Sequence, residues 1–370
     1  MAMAMATPMA MATARRHRGG RLARRARWTA VNLKCRPAGA APEGFVSEAA
    51  TEESYYSFSP RGSDRAFRCR YLESSVAEDD APVAVMVHGF GASGAHFRKN
   101  MPALNAAGIS CFAIDLLGYG YSEKPAPDKK RPNTVYSMER WGEQILDFVD
   151  NEIASSGTDA SPERSANGKR KKVFLICNSI GGIAALQAAK VDALSGRRMI
   201  DGIVLMNVSL RMLHVKKQQP WQRPMVKALQ TLLRETPVGE FFFRAVATED
   251  GVRNVLREAY HDADAVDDTL VRNILSPGLE PGAVDVFLDF ISYSGGPLPE
   301  ELLAEVSCPV SILWGECDPW EPLSLAEEAF KDKFPSVVSF ETIPKSGHCP
   351  MDESPALVNP KLIDFVRSYM

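Results

Sequence analysis

Short uninterrupted apolar runs recur along the chain at intervals that leave room for helices between them. Val83-Ala-Val-Met-Val87, Val173-Phe-Leu-Ile176 and Pro309-Val-Ser-Ile-Leu-Trp-Gly315 carry almost no polar position and end in turn-forming residues, the pattern of strands covered on both faces. Phe67 to Leu72, Ser110 to Ile114, Val204 to Met206 and Val337 to Ile343 complete the set of expected strands. Between them Trp141, Ile145, Phe148, Val149 and Ile153 fall at helical spacing, and Gly181 to Ala189 is a small-residue stretch suited to a tightly packed helix. Strand and helix in alternation predict a mostly parallel, doubly wound α/β sheet.

The rhythm breaks between Ser209 and Leu303. Helical patterns surround Met225 to Leu233 and Gly251 to Ala259, followed by turn-rich Ser276-Pro-Gly-Leu-Glu-Pro-Gly282 and Ser294-Gly-Gly-Pro297. A connection of about ninety residues is far longer than those usual between core elements and is commonly functional. The expected organisation is therefore a core from 43–208 and 304–370, with a helical cap at 209–303. Residues 155–172, rich in Gly, Ser and Lys, are expected to form a solvated loop.

Composition adds a compartment and excludes others. The chain has 370 residues and 45% hydrophobic content, enough for a large core. Nine of its 43 Lys and Arg, and none of its 46 Asp and Glu, lie in residues 1–42, which leaves the remainder at about −12. A basic, acid-free leader rich in Ala, Met and Thr has the profile of an organelle transit peptide. The acidic remainder offers nothing to nucleic acid, and no apolar run is long enough to span a bilayer. Seven cysteines, at 35, 69, 111, 177, 308, 317 and 349, show neither disulfide-framework nor zinc spacing. Three of them, Cys177, Cys317 and Cys349, lie within two residues of the groups singled out next, which raises the question of a redox role.

Cys177-Asn178-Ser179-Ile180-Gly181 sits where an expected strand gives way to an expected helix. A serine on such a turn has its hydroxyl pushed above the sheet, although the usual first glycine of G-x-S-x-G is here Cys177. The α/β-hydrolase order requires a carboxylate and then a histidine, each at a later strand end. Asp318 follows the strand ending at Gly315, and His348 follows the strand ending at Ile343. Of six histidines, His17 lies in the leader, His88 and His96 precede the serine, and His214 and His261 precede Asp318. Asn207 occupies an alternative strand end but is neutral and cannot replace Asp318. The expected set is thus Ser179, Asp318 and His348, with the backbone N–H groups of Phe90 and Ile180 as an oxyanion hole, and neither metal nor cofactor is required.

A second pattern competes. Gly89-Phe-Gly91-Ala-Ser-Gly94 fits G-x-G-x-x-G after a strand, with Asp115 at the end of the next one, so an NAD(P)-binding oxidoreductase is the alternative class. His88 before the first glycine favours instead the H-G turn that serves an oxyanion hole. The dinucleotide reading also leaves the three downstream groups without a role.

Several longer stretches together resemble one family: His88-Gly-Phe-Gly91, Ile176-Cys-Asn-Ser-Ile-Gly-Gly182, Ser209-Leu-Arg-Met-Leu-His214, Tyr293-Ser-Gly-Gly-Pro-Leu-Pro299, Trp314-Gly-Glu-Cys-Asp-Pro-Trp-Glu-Pro322 and Gly347-His-Cys-Pro-Met-Asp-Glu353. They are similar to the plastid α/β-hydrolases called chlorophyll dephytylases, with pheophytinases as more distant relatives, over about residues 80–370. The resemblance implies hydrolysis of the phytyl ester of chlorophyll, a lipophilic small-molecule substrate, in the chloroplast on the stroma side or beside the thylakoid membrane. A twenty-carbon chain would need an apolar channel or a membrane edge, since each buried CH2 gains about 0.8 kcal/mol. Phe241, Phe242, Leu229 and Leu233 are the expected cap contacts, and ordinary core packing would account for the same spacing. A general lipid or carboxylesterase, a serine-dependent C–C hydrolase and a non-enzymatic binding protein are the other readings of the same fold.

Overall fold

Eight strands form one sheet: β1 (Glu52–Phe58), β2 (Phe67–Ser74), β3 (Val83–Val87), β4 (Ser110–Ile114), β5 (Val173–Asn178), β6 (Gly202–Met206), β7 (Val310–Gly315) and β8 (Val337–Ile343). The structure, a computed structural model, describes residues 51–78, 80–128, 131–154 and 170–370. The expected leader at 1–42 and most of the 155–172 loop lie outside these residues. The strand order is β1-β2-β4-β3-β5-β6-β7-β8. The first two pairings are antiparallel, and from β4 to β8 every neighbour runs parallel.

Each central strand is buried along its full length, as expected where helices cover both faces. The helices are α1 (Met101–Ala106), α2 (Met138–Phe148), α3 (Ile180–Ser195), α4 (Gln222–Glu235), α5 (Pro237–Val246), α6 (Glu249–Ala259), α7 (Asp268–Gly278), α8 (Ala283–Ile291), α9 (Pro299–Leu303), α10 (Leu323–Phe330), α11 (Pro350–Glu353) and α12 (Pro355–Ser368). Ser137 caps α2 by accepting from the Arg140 N–H, which satisfies an otherwise orphaned donor. Gly142 of α2 approaches α3 so closely that a Cβ there would lie 2.8 Å from Gln187 Cγ. That glycine lets two helices meet above the strand that carries the serine.

Chain order places the site. After β3 the chain steps outward to β4, then returns to the other side of β3 as β5. Loops leaving β3 and β5 therefore diverge to opposite faces and open a crevice at their carboxyl ends.

The sheet differs from the sequence expectation in one strand. Glu52–Phe58 carries no clear strand signal in sequence, because only Tyr56 and Phe58 at its end turn inward and its first half is polar. Its place is set by packing: Tyr56 and Tyr71 each meet the Phe148 ring edge-on at 5.0 Å. Two further differences concern helices. The amphipathic pattern that runs on to Ile153 becomes a π-turn over Val149–Ala154. Ser276 to Gly278, expected as turn, is the last turn of α7, with Pro277 inside it. Pro277 has no N–H to return to the carbonyl four residues back, and the helix stops one residue later.

Candidate active site

Ser179 stands between β5 and α3 with φ 55° and ψ −123°. A non-glycine residue in this region carries strain of about 1–3 kcal/mol, so the surroundings must impose it. They do so from both sides. The Ser179 N–H donates to Met206 O at 3.1 Å, and its carbonyl accepts from Gly182 and Ser209. Gly181, two residues on, lies so near the end of β3 that a Cβ would fall 2.4 Å from His88 O and 2.5 Å from Val87 O. Only glycine lets the first turn of α3 press against that strand end. Gly89 faces the serine itself, since a Cβ there would lie 3.0 Å from Ser179 Cβ.

Cys177, which replaces the first glycine of the motif, is wholly buried in the core beneath the turn. Burial pushes its thiol and that of Cys349 well above the ordinary range, so neither supplies a ready thiolate at neutral pH.

Asp318 follows β7 and His348 follows β8. His348 Nδ1 donates to Asp318 Oδ2 at 2.7 Å, and Asn207 Nδ2 donates to the same oxygen at 2.7 Å. The N–H groups of Trp320 and Glu321 donate to Asp318 Oδ1 at 2.9 and 3.1 Å. Burial alone would raise this carboxyl, but the adjacent imidazole and the donors from His348, Asn207 and Trp320 together hold it below the usual carboxylate range. Asn207, at the end of β6 with φ 44°, also accepts the Gly315 N–H at 2.9 Å. The neutral residue at the alternative acid position thus orients Asp318.

The histidine loop is held from three directions. Its N–H donates to Ala259 O at the end of α6, at 2.8 Å. Glu353 Oε2 accepts the Gly347 N–H at 2.6 Å. Asn178, the residue before the serine, donates from Nδ2 to His348 O at 3.0 Å and to Met206 O at 3.1 Å. Ser179 and His348 are both nearly closed off from solvent. Behind the loop, Tyr260 Oη donates to Asp352 Oδ2 at 3.2 Å and meets His96 Nε2 at 3.0 Å, while Arg98 Nε donates to Asp352 Oδ1 at 2.9 Å.

Glu321 was not anticipated. It is buried beside Asp318, accepts the Ser209 hydroxyl at 2.9 Å through Oε1, and leaves Oε2 without a hydrogen-bond partner. Burial pushes its carboxyl above the ordinary value. Nothing in the local sequence separates it from a surface glutamate. Asn178 likewise occupies a position that the motif leaves unspecified.

The glycine-rich loop after β3 has a different job from cradling a dinucleotide. Asp115, expected at a ribose in that reading, is wholly buried; Oδ1 accepts the Gly94 N–H at 2.7 Å, and Oδ2 accepts the Tyr121 N–H and an Arg70 N–H. His88 donates from Nδ1 to Gly89 O at 2.7 Å and accepts the Leu116 N–H at Nε2. Burial keeps that imidazole below its ordinary value, which suits a neutral brace between two loops.

Phe90 packs its ring on Phe290 at 5.0 Å and on Phe287 at 5.4 Å. Phe287 in turn meets Phe243 at 5.1 Å and Phe242 at 6.3 Å. A run of aromatic rings therefore joins α5 and α8 to the loop beside Ser179. Of the four expected cap contacts, Phe242 and Leu233 are half-buried, whereas Phe241 and Leu229 face outward. Among the described residues no group of three or more His, Cys, Asp or Glu is placed to hold a metal ion.

The topology and this geometry define an α/β hydrolase. Residues 84–361 match the model of the alpha/beta hydrolase family, and the chain belongs to that family. It is 24% identical to the chloroplastic pheophytinase of Arabidopsis thaliana over 329 residues, covering 79% of this chain and 62% of that protein's length. It is 23% identical to the uncharacterized hydrolase YugF of Bacillus subtilis (strain 168), over 76% of this chain and 89% of that one. Among solved structures, a thermophilic esterase from Thermogutta terrifontis superposes with a TM-score of 0.58 at 19% identity, covering 85% of this chain and 99% of that chain. That likeness is one of fold.

Proposed function

We propose that the protein is a serine carboxylic ester hydrolase whose substrate is the phytyl ester of a chlorophyll-type pigment, acting in the chloroplast. The observation that carries the hydrolase reading is the strained Ser179 at the end of β5, whose neighbour Asn178 holds the loop of an Asp318–His348 pair bonded at 2.7 Å. The narrower substrate rests on the pheophytinase relative and on the acid-free basic leader. Helices between β6 and β7, at 209–303, serve as the cap.

Ser179 Oγ attacks the ester carbonyl carbon while His348 Nε2 takes its proton. The developing oxyanion is received by the Ile180 and Phe90 N–H groups, worth roughly 3 kcal/mol per donor where such donors have been removed. Collapse breaks the bond to the alkoxy oxygen, and His348 returns the proton to that oxygen, releasing phytol. Water then attacks the acyl-serine by the same proton path and frees the pigment carboxylate. Asp318 fixes the imidazole tautomer with a proton on Nδ1 and stabilises the imidazolium without taking a proton itself.

The test incubates purified protein with chlorophyll a, pheophytin a and a short p-nitrophenyl ester. Phytol release from a pigment supports the full reading, and turnover of the short ester alone leaves a general esterase. The Ser179→Ala variant is expected to lose about four to six orders of magnitude in kcat; near-full activity in that variant overturns the assignment.

A further inference from the structure

Helix α4 carries an apolar stripe that no other described residue covers. Trp221, just before its first turn, and Met225, Leu229 and Leu232 along it recur at spacings of three and four, so they share one face. All four are exposed, Trp221 to 68%. The following helix α5 adds Val238 and Phe241, the latter 77% exposed. The opposite side of α4 is the one that packs: Val226, Gln230 and Leu233 are half-buried, and Gln230 Nε2 donates to Ser294 Oγ at 2.7 Å. Burial of an amphipathic helix normally hides its apolar side, and here much of that side is left in water.

The charge of this segment sets it apart from the rest of the protein. Residues 210–234 hold six Lys or Arg and no Asp or Glu, within a chain that is otherwise acidic beyond its leader. Lys216, Lys217 and Arg234 pair with Glu301, Glu300 and Glu235, and Arg211 is buried. Arg223 and Lys227 are exposed on the polar side of α4 and form no ion pair among the described residues.

We propose that α4 and the start of α5 dock the protein on the surface of an anionic lipid bilayer, with Trp221, Met225, Leu229, Leu232, Val238 and Phe241 inserted at the boundary between headgroups and acyl chains. A helix lying in that plane buries its apolar face by roughly 5–10 Å, which leaves cations on its other side at the level of the lipid phosphates. Arg223 and Lys227 then meet negative charge while their stems cover apolar surface. A second copy of the chain answers less well. A two-fold contact through this face would bury the apolar stripe but leave Arg223 and Lys227, on the polar side, with no anionic partner. No helix among the described residues is long and apolar enough to cross a membrane, so the contact is peripheral.

Docking goes beyond the ester reading and stands or falls separately, because binding to vesicles requires no turnover. The full chain is sedimented with vesicles of equal parts phosphatidylcholine and phosphatidylglycerol, and with phosphatidylcholine alone. Parallel anionic vesicles carry brominated acyl chains, which quench indole fluorescence on contact. The expected results are binding to the anionic vesicles, at least about tenfold weaker partition for Met225→Asp/Leu232→Asp with unchanged circular dichroism, weaker binding for Arg223→Gln/Lys227→Gln, and quenching that disappears in Trp221→Tyr. If the double aspartate variant fails to fold, the Trp221 quenching decides. The proposal is overturned if the full chain ignores anionic vesicles. It is equally overturned if binding and quenching persist unchanged in these variants, which assigns them to the basic leader. A dimer that the double aspartate variant turns into a monomer, with no vesicle binding, assigns the face to a second copy instead.

Discussion

The side-chain amide of Asn178 donates to the backbone carbonyl of His348 at 3.0 Å, so the residue next to the serine holds the loop that presents the histidine. Two segments 170 residues apart are thereby fixed at one point. Asn178→Ala leaves Met206 O with the Ser179 N–H as donor but deprives the buried His348 carbonyl of this one. Leaving such a group unsatisfied costs about 1–3 kcal/mol. Stability measured by urea titration should fall by that amount, and kcat on a short ester should drop about 10–100-fold with KM little changed, since the loss is one of alignment.

Gly89→Ala places a methyl group 3.0 Å from Ser179 Cβ and 3.1 Å from Asn178 Oδ1. Either the loop after β3 or the serine turn must move by a few tenths of an ångström. The N–H expected in the oxyanion hole belongs to the next residue, so the shift falls on the donor as well as the nucleophile. Steady-state kinetics should show kcat lowered by about tenfold or more, with the melting temperature little changed.

Glu321 gives a pH-dependent test of the buried carboxylate beside Asp318. Its folded value lies above the ordinary one because burial disfavours the charge. As pH rises past the ordinary carboxylate value, the unfolded chain releases this proton first, so its contribution to stability declines through that window and stays lost above it. Glu321→Gln keeps an oxygen for the Ser209 hydroxyl and removes the charge. The variant should match the wild type below the ordinary carboxylate range and exceed it in stability at neutral pH, as read from thermal unfolding across pH.

His96 acts in the opposite sense. Burial lowers it from 6.5 to about 4, and it sits against the Tyr260 hydroxyl with Nδ1 unpartnered. Between those two values the unfolded chain binds a proton that the folded chain refuses, so stability is complete above the upper value and falls as pH drops toward the lower. Tyr260 and Asp352 lie behind the histidine loop, which makes acid loosening a local event there. His96→Gln should flatten the fall in melting temperature between those pH values, whatever its effect at neutral pH.

Sequence alone determined the elements whose signal is local. Continuous runs mark β3 and β4 at their observed limits, because a strand buried on both faces admits few polar positions, and β8, half-buried and partly polar, keeps its expected limits too. The strand–serine–helix join and the two later strand ends pointed to Ser179, Asp318 and His348 as the candidate site, since chain order constrains them, and the structure bonds the last two. Tertiary structure alone decided the rest. Competing glycines became a scaffold because Asp115 spends both its oxygens on neighbouring backbone and Arg70. Asn178, Asn207 and Glu321 acquired their roles from partners distant in the chain, and such hydrogen bonds leave no periodicity to read. The same holds for the outward apolar face of α4. Helical spacing shows that a stripe exists, but whether it meets a core or water depends on how the helix is turned against its neighbours, which only long-range packing sets.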